Sequence, residues 1–299
     1  MNLLIHHGAL GDLVLTFPLL RALAKAGPTA VVAGASKARL AAAVIPEVHP
    51  LDGDSRLWSS LFQRDLDPAD AARLREWLGK PGTILSFVST GHDTWADHVR
   101  RLIGAGGHKI VFVEPRPPGD WPGHVAEWHR RQLCAQGFVP VDVQAPCVRN
   151  AQGPIVIHPG SGSREKCWPA QRFEELIGVL RDQGHTVTPL LGEVERDRWP
   201  VEQWDHWVES LAARPIGDLV ELHAVLASAR LFIGNDSGPA HLAAQMGLPT
   251  LALFGPTSPA RWSPVGPAIS VLAPPTPQAM SWLSVPKVLP SVQSPASRV

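Results

Sequence analysis

The chain has 299 residues, 44% of them hydrophobic and 18% charged. That supports a sizeable core, and the length fits two domains of roughly 150 residues better than one. Lys plus Arg (27) equals Asp plus Glu (27), and neither half is a basic module, which disfavours a nucleic-acid binder that works by neutralising phosphates. The three cysteines, Cys134, Cys147 and Cys167, are widely spaced and form no CxxC. This argues against a disulfide framework or a zinc site and suits a reducing compartment. MNLLIHHGALGD has neither a basic n-region nor a long apolar h-region, so it does not read as a signal peptide. No apolar run approaches the roughly 18 residues of a membrane span. The expectation is a soluble, cytoplasmic protein, with work at a membrane surface compatible with it.

Short apolar runs alternate with amphipathic stretches along the first half. Asn2–His7 reads as a buried strand, followed by a glycine turn and a helical run from Asp12 to Lys25, in which Pro18 marks a kink or a first turn. Thr29–Ala33 is a strand and Ser36–Ala43 a helix. Helix Pro68–Leu78 opens on a proline whose missing N–H costs little there. Strand Thr83–Phe87, helix Asp93–Ile103, strand Lys109–Val113 and helix His124–Gln136 continue the pattern. The βα repeat predicts a parallel sheet covered on both faces.

Phe138–Gly153, with Pro140, Pro146 and the turn-like Arg149–Gly153, reads as a linker. It divides the chain into an N-terminal domain over 1–150 and a C-terminal domain over 151–299. Strand Pro154–His158, helix Pro169–Gln183, strand Thr186–Leu191, a helix capped by Asp218 and running to Ala229, strand Leu231–Gly234, helix Pro239–Met246 and strand Thr250–Phe254 repeat the alternation. The Pro- and Ser-rich segment Val271–Val299 contains a short helix at Val285–Val292 and a frayed end. The fold class is therefore α/β, two doubly wound halves with a cleft between them as the expected ligand site.

Three segments at predicted strand ends carry the chemistry. In Gly8-Ala9-Leu10-Gly11-Asp12 the glycines permit a tight turn, and Asp12 stands at the strand-to-helix junction, where helix capping and a catalytic role are both open. Only Gly8 and Gly11 are present, so the GxGxxG dinucleotide pattern is absent and an NAD-dependent oxidoreductase is disfavoured. In His158–Pro169, Ser161, Ser163 and Lys166 lead into a helix. Backbone amides and a lysine there suit an anion such as a diphosphate, although a plain polar loop with a surface lysine gives the same pattern. In Gly234–His241, the amides of Ser237 and Gly238 face outward at a helix start, and His241 follows one turn in. Asp236 is placed either to hold a sugar hydroxyl or to cap the helix. Gly255–Pro259 closes the next strand end as a further wall. His6, His7, His92, His98, His124 and His129 lack a metal spacing, and Trp58, Trp95, Trp121 and Trp128 suit stacking on an acceptor sugar or, more commonly, ordinary packing.

Taken together, GALGDLVLTFPLLRALA, HPGSGSREKCWPAQRFEEL and FIGNDSGPAHLAAQMGLPTLALFGPTSPARWSP resemble glycosyltransferase family 9, the ADP-heptose:lipopolysaccharide heptosyltransferases. The resemblance implies the GT-B architecture of two Rossmann-like domains facing a cleft. It implies an inverting, metal-independent transferase that moves a heptose or related sugar from an ADP-sugar, with no cofactor, to a lipopolysaccharide inner-core or other glycan acceptor. By motif, Asp12 resembles the general base. Lys166, with Ser161 and Ser163, resembles the diphosphate loop, and Gly11, Asp236, Ser237, Gly238 and His241 resemble donor-site residues. The Gly192–Glu195 strand end resembles the segment that supplies a carboxylate near the nucleotide ribose, with Glu195 preferred over Glu193. The implied partners are a nucleotide-sugar donor and a glycolipid or glycan acceptor, with peripheral membrane contact and no nucleic acid. The competing readings are a catalytically silent sugar-nucleotide or glycan binder and a UDP-sugar 2-epimerase.

Overall fold

Five short aliphatic runs build the first sheet. They are β1 (Asn2–Ile5), β2 (Thr29–Ala33), β3 (Val48–Asp52), β4 (Thr83–Ser86) and β5 (Lys109–Phe112). All pair in parallel, in the order β3-β2-β1-β4-β5. Every residue of β2 is buried, as a parallel sheet covered on both faces requires. The computed structural model describes residues 1–104, 107–141, 143, 145, 147 and 150–293. Within these the chain forms two compact units, Met1–Val143 and Gln144–Val299.

In the first unit the strands are linked by helices α1 (Leu10–Val14), α2 (Phe17–Ala26), α3 (Ala35–Val44), α4 (Arg56–Ser59), α5 (Pro68–Leu78), α6 (Thr94–Ile103) and α7 (Val125–Ala135). One core cluster joins Leu3, Ile5, Ala30, Val32 and Ile84 of the sheet to Trp58, Leu74, Leu78, Trp95 and Val99 of the helices. Trp58 and Trp95 thus pack in the interior, and Trp121 lies edge-on to Trp128.

The single helix expected over Asp12–Lys25 is two helices. Pro18 sits in the first turn of α2 and lacks the N–H that a continuous helix would direct at Val14. The Thr16 hydroxyl instead bonds the Leu13 carbonyl at 2.7 Å. Strand β3, absent from the sequence reading, contains Pro50 and lies at the sheet edge, where a missing N–H is tolerated.

The second unit holds β6 (Ile155–His158), β7 (Val187–Leu191), β8 (Arg214–Pro215), β9 (Leu231–Asn235), β10 (Thr250–Leu253) and β11 (Ile269–Leu272). They are ordered β11-β10-β9-β6-β7-β8 and all parallel. Helices α8 (Ala170–Asp182), α9 (Glu193–Arg198), α10 (Val201–Asp205), α11 (Leu219–Ser228), α12 (Gly238–Gln245), α13 (Pro259–Trp262) and α14 (Val285–Gln293) complete it. The expected Asp218 cap is present, its carboxylate accepting the Glu221 N–H at 2.8 Å. The segment after Gly192, read as a strand end, opens helix α9. Strands β8 and β11 were not anticipated: β8 has two residues and β11 is only half-buried, so neither carries a strong apolar signal. Pro146 and Arg149 of the expected linker, and the expected frayed end at 294–299, lie outside the described residues.

Each sheet has one place where its strand order reverses. In the first unit it lies between β1 and β4, and in the second between β6 and β9. Loops leaving neighbouring strands diverge there and open a crevice at the carboxyl edge.

Candidate functional site

In the second unit two loops leave the crevice side by side, because His158 of β6 is in register with Gly234 of β9. Asn235, fully buried, stitches them together. Its amide donates to the Pro159 carbonyl at 2.7 Å, and its oxygen accepts the Trp168 N–H at 2.9 Å. The Ser161 hydroxyl donates to the Asp236 carbonyl at 2.7 Å. Lys166 and Asp236, seventy residues apart, form an ion pair at 2.8 Å, with the lysine side chain 30% exposed and the carboxylate 6%. Lys166 is therefore no plain surface lysine.

Asp236 does not cap α12. Ser237 occupies the cap position, and the carboxylate instead takes the Thr257 hydroxyl at 2.8 Å as well as Lys166. His241 Nε2 stands 3.9 Å from the other carboxylate oxygen, beyond hydrogen-bond distance. Burial alone would raise the Asp236 carboxyl. The facing His241, Lys166 and Thr257 outweigh burial and hold it below its ordinary value. The Ser237 hydroxyl and His241 Nδ1 are buried with no hydrogen-bond partner among the described residues. Buried polar atoms without partners are uncommon and at a helix start suit a ligand.

Ser163 precedes a 3₁₀ turn over Arg164–Lys166, and its carbonyl receives the Lys166 N–H at 3.2 Å. Arg198 of α9 donates to the carbonyls of Ser161 and Gly162 at 3.2 and 2.9 Å, tying the loop to α9. Glu195 faces inward at 1% exposure. It accepts the Gly192 N–H at 2.7 Å, the glutamate half of a capping box, and lies 3.5 Å from His158 Nε2. Burial would raise its carboxyl, but the His158 contact and the backbone amides prevail and lower it. A Cβ on Gly160 would collide with this carboxylate, so any side chain there would push Glu195 from its place. Glu193, by contrast, is exposed.

The first unit presents the Gly8–Asp12 turn at the end of β1. Gly11 and Asp12 lie in α1, whose cap is Ala9, and Asp12 makes no capping hydrogen bond. The capping alternative therefore fails. The Asp12 side chain is 24% exposed, with Arg116 at 4.0 Å as its ion partner. Lys37 donates to the Gly8 carbonyl at 2.7 Å. His6 Nδ1 accepts the Gly8 N–H at 3.0 Å. Its ring is buried against Phe87, which in turn packs edge-on to His129. Burial, then the neighbouring His129, Lys37 and His7, pull His6 down to about 3. A Cβ at Gly8 would stand 2.5 Å from His6 Cε1, so the turn and the neutral imidazole are built for each other.

The sequence reading places Asn235 and Thr257 within strand-end motifs but gives neither a role, and it does not connect Arg198, Lys37 or His6 with them. Asn235 ending an otherwise apolar strand was the one available signal. Arg198, Lys37 and Thr257 act through contacts more than twenty residues away, whereas His6 holds Gly8 only two residues on. Two of the histidines away from these motifs have carbonyl partners: His98 Nδ1 lies 3.1 Å from the Leu61 carbonyl and His129 Nε2 2.9 Å from that of Pro115.

The family model described as glycosyltransferase family 9 (heptosyltransferase) matches residues 126–287. Lipopolysaccharide heptosyltransferase 3 of Escherichia coli (strain K12) is 34% identical over 116 residues, covering 37% of this chain and 33% of that protein. Lipopolysaccharide heptosyltransferase 1 of Pseudomonas aeruginosa is 27% identical over 285 residues, covering 86% and 79%. The match thus spans about a third of the first curated relatives and most of the P. aeruginosa protein. Among solved structures, E. coli heptosyltransferase WaaC with ADP aligns at a TM-score of 0.71 and 21% identity over 99% of this chain and 100% of that one. A glycosyltransferase family 9 structure from Veillonella parvula DSM 2008 aligns at 0.71 and 20% identity, covering 98% and 96%. This fold likeness agrees with the two Rossmann-like domains expected of the GT-B class.

Proposed function

The chain belongs to glycosyltransferase family 9, and from that premise we propose that it moves a heptose, or a closely related sugar, from an ADP-sugar to an inner-core sugar of lipopolysaccharide. The observation that carries this reading is the convergence at one strand-order reversal of the Ser161–Lys166 loop with Asp236, Ser237 and His241. A diphosphate placed there meets a lysine, the amides opening α12 and a buried hydroxyl in want of a partner. The relatives' names supply the sugar and the acceptor, and the solved E. coli relative carries ADP.

In this reading Asp12 takes the proton of the acceptor hydroxyl as that oxygen bonds to the anomeric carbon, on the face opposite the diphosphate. The bond from that carbon to the diphosphate oxygen breaks with its electron pair, and the anomeric centre inverts. Charge gathering on the leaving ADP is met by the Lys166 ammonium and by the amides of Ser237 and Gly238, preorganised by α12. Those groups supply the stabilisation without a metal. Gly11 gives the acceptor close access to the turn. Glu195 secures the donor loop through His158 and Gly192, and the exposed Glu193 is the carboxylate at hand for a ribose. No helix among the described residues is long and apolar enough to cross a membrane, and a glycolipid acceptor would bring the enzyme to the cytoplasmic membrane face peripherally.

Incubation with ADP-heptose and lipopolysaccharide from heptose-deficient cells should release ADP and add one heptose mass to the acceptor. Failure to release ADP at saturating donor and acceptor would refute the reading. A new UDP-sugar formed from UDP-GlcNAc would replace it with epimerisation.

A further inference from the structure

Asp236 carries an asymmetric load. Its backbone is fixed on both sides, the N–H donating to Leu253 of β10 at 3.0 Å and the carbonyl accepting from Ser161. Its Oδ2 takes two donors, Lys166 Nζ and Thr257 Oγ1, each at 2.8 Å, whereas among the described residues Oδ1 has only His241 Nε2 at 3.9 Å. A carboxylate has about four lone-pair sites, so Oδ1 retains capacity for a hydroxyl. The lysine is a flexible ammonium on a four-carbon stem and would follow the carboxylate if it turned. Thr257 is different. A β-branched side chain is stiff about its first torsion, and its loop is held at both ends. Gly255 is packed so tightly under Met280 that a Cβ there would collide with the sulfur, and Pro259 opens α13 two residues on.

We propose that Thr257 is a positioning residue of the transferase: by holding Asp236 Oδ2, it turns Oδ1 toward a hydroxyl of the donor's sugar. This rests on the ADP-sugar reading above and adds to it which carboxylate oxygen meets the sugar and which residue sets it. Thr257 also lines a cavity of about 200 Å³ together with Ser258, Pro274, Pro275 and Pro277. Because the orientation concerns the sugar and not the nucleotide, the two ligands ADP and ADP-heptose separate the role from general support.

Calorimetric titration of the full chain with each ligand tests it. Thr257→Val removes the hydroxyl at nearly constant volume. It should weaken ADP-heptose by about tenfold, the scale of one hydrogen bond to a charged group, while ADP affinity stays within about twofold. Thr257→Ser restores the hydroxyl and should recover most of the loss, and in the transfer assay the Val defect should appear in the donor KM more than in kcat. Equal weakening of both ligands, or no weakening of either, overturns the role of Thr257 and leaves the donor assignment standing. Wild-type protein that binds neither ligand overturns the donor assignment itself, and this inference with it.

Discussion

Lowering the pH from 7 to 5 should destabilise the first unit through His6. The ring is 1% exposed, its Nδ1 accepts the Gly8 N–H, and its value is drawn from an ordinary 6.5 to about 3. A proton on Nδ1 would break that hydrogen bond and place a charge in the core. Between pH 6.5 and 3 the unfolded chain therefore binds more protons than the folded one, and stability falls as the pH drops through that window. Each unit is worth about 1.36 kcal/mol, so the 1.5 units from 6.5 to 5 come to about 2 kcal/mol. For a unit of this size that is roughly 4–8 °C in Tm. Asp236 and Glu195 do not interfere. Their folded values lie below the ordinary 3.8 and 4.5, so the stability they contribute is present above those values and is lost only at lower pH. His129, His7 and His223 act in the same direction as His6 but remain in a His6 variant. The assay is differential scanning calorimetry of wild type and His6→Asn at pH 7 and pH 5. Asn keeps an acceptor near Nδ1, and the cost of its smaller volume is common to both pH values and cancels in the difference. The variant should lose about 4–8 °C less than wild type over this interval. An identical loss in both proteins would refute the reasoning.

Asp12→Asn should lower turnover by roughly 10²–10⁴-fold, the usual contribution of a general base. Because Asp12 makes no capping bond, stability should change by no more than the about 0.3–1 kcal/mol of a first-turn charge, and near-normal turnover with saturating acceptor would dismiss it as base. Lys166→Met should abolish most donor affinity in titration. It should also cost about 1–3 kcal/mol by stranding Asp236, less than the roughly 3–5 of a fully buried pair because the lysine is partly exposed. Adding Asp236→Asn should return much of that stability without returning activity, and an undiminished Tm in the single variant would place Lys166 outside the network.

Local chemistry alone made most elements legible. Thr29–Ala33 and Pro68–Leu78 were read with the limits they have, because an unbroken apolar run and a proline-opened amphipathic stretch are statements about neighbouring residues. The glycine- and hydroxyl-rich turns were legible for the same reason: each follows a buried strand, where an open α/β sheet places its ligands. Elements stabilised from outside were not. Strand β3 contains a proline and persists because β2 supplies its partner and the edge position forgives the missing N–H. Nor does spacing choose between a cap and a base for Asp12, or between a sugar contact and a cap for Asp236. Only the register of β6 beside β9 brings Lys166 onto Asp236, and only the loop after β10 brings Thr257 to the same oxygen. The orientation of a buried carboxylate is set by donors that folding gathers from distant parts of the chain, and no local pattern records which of them arrive.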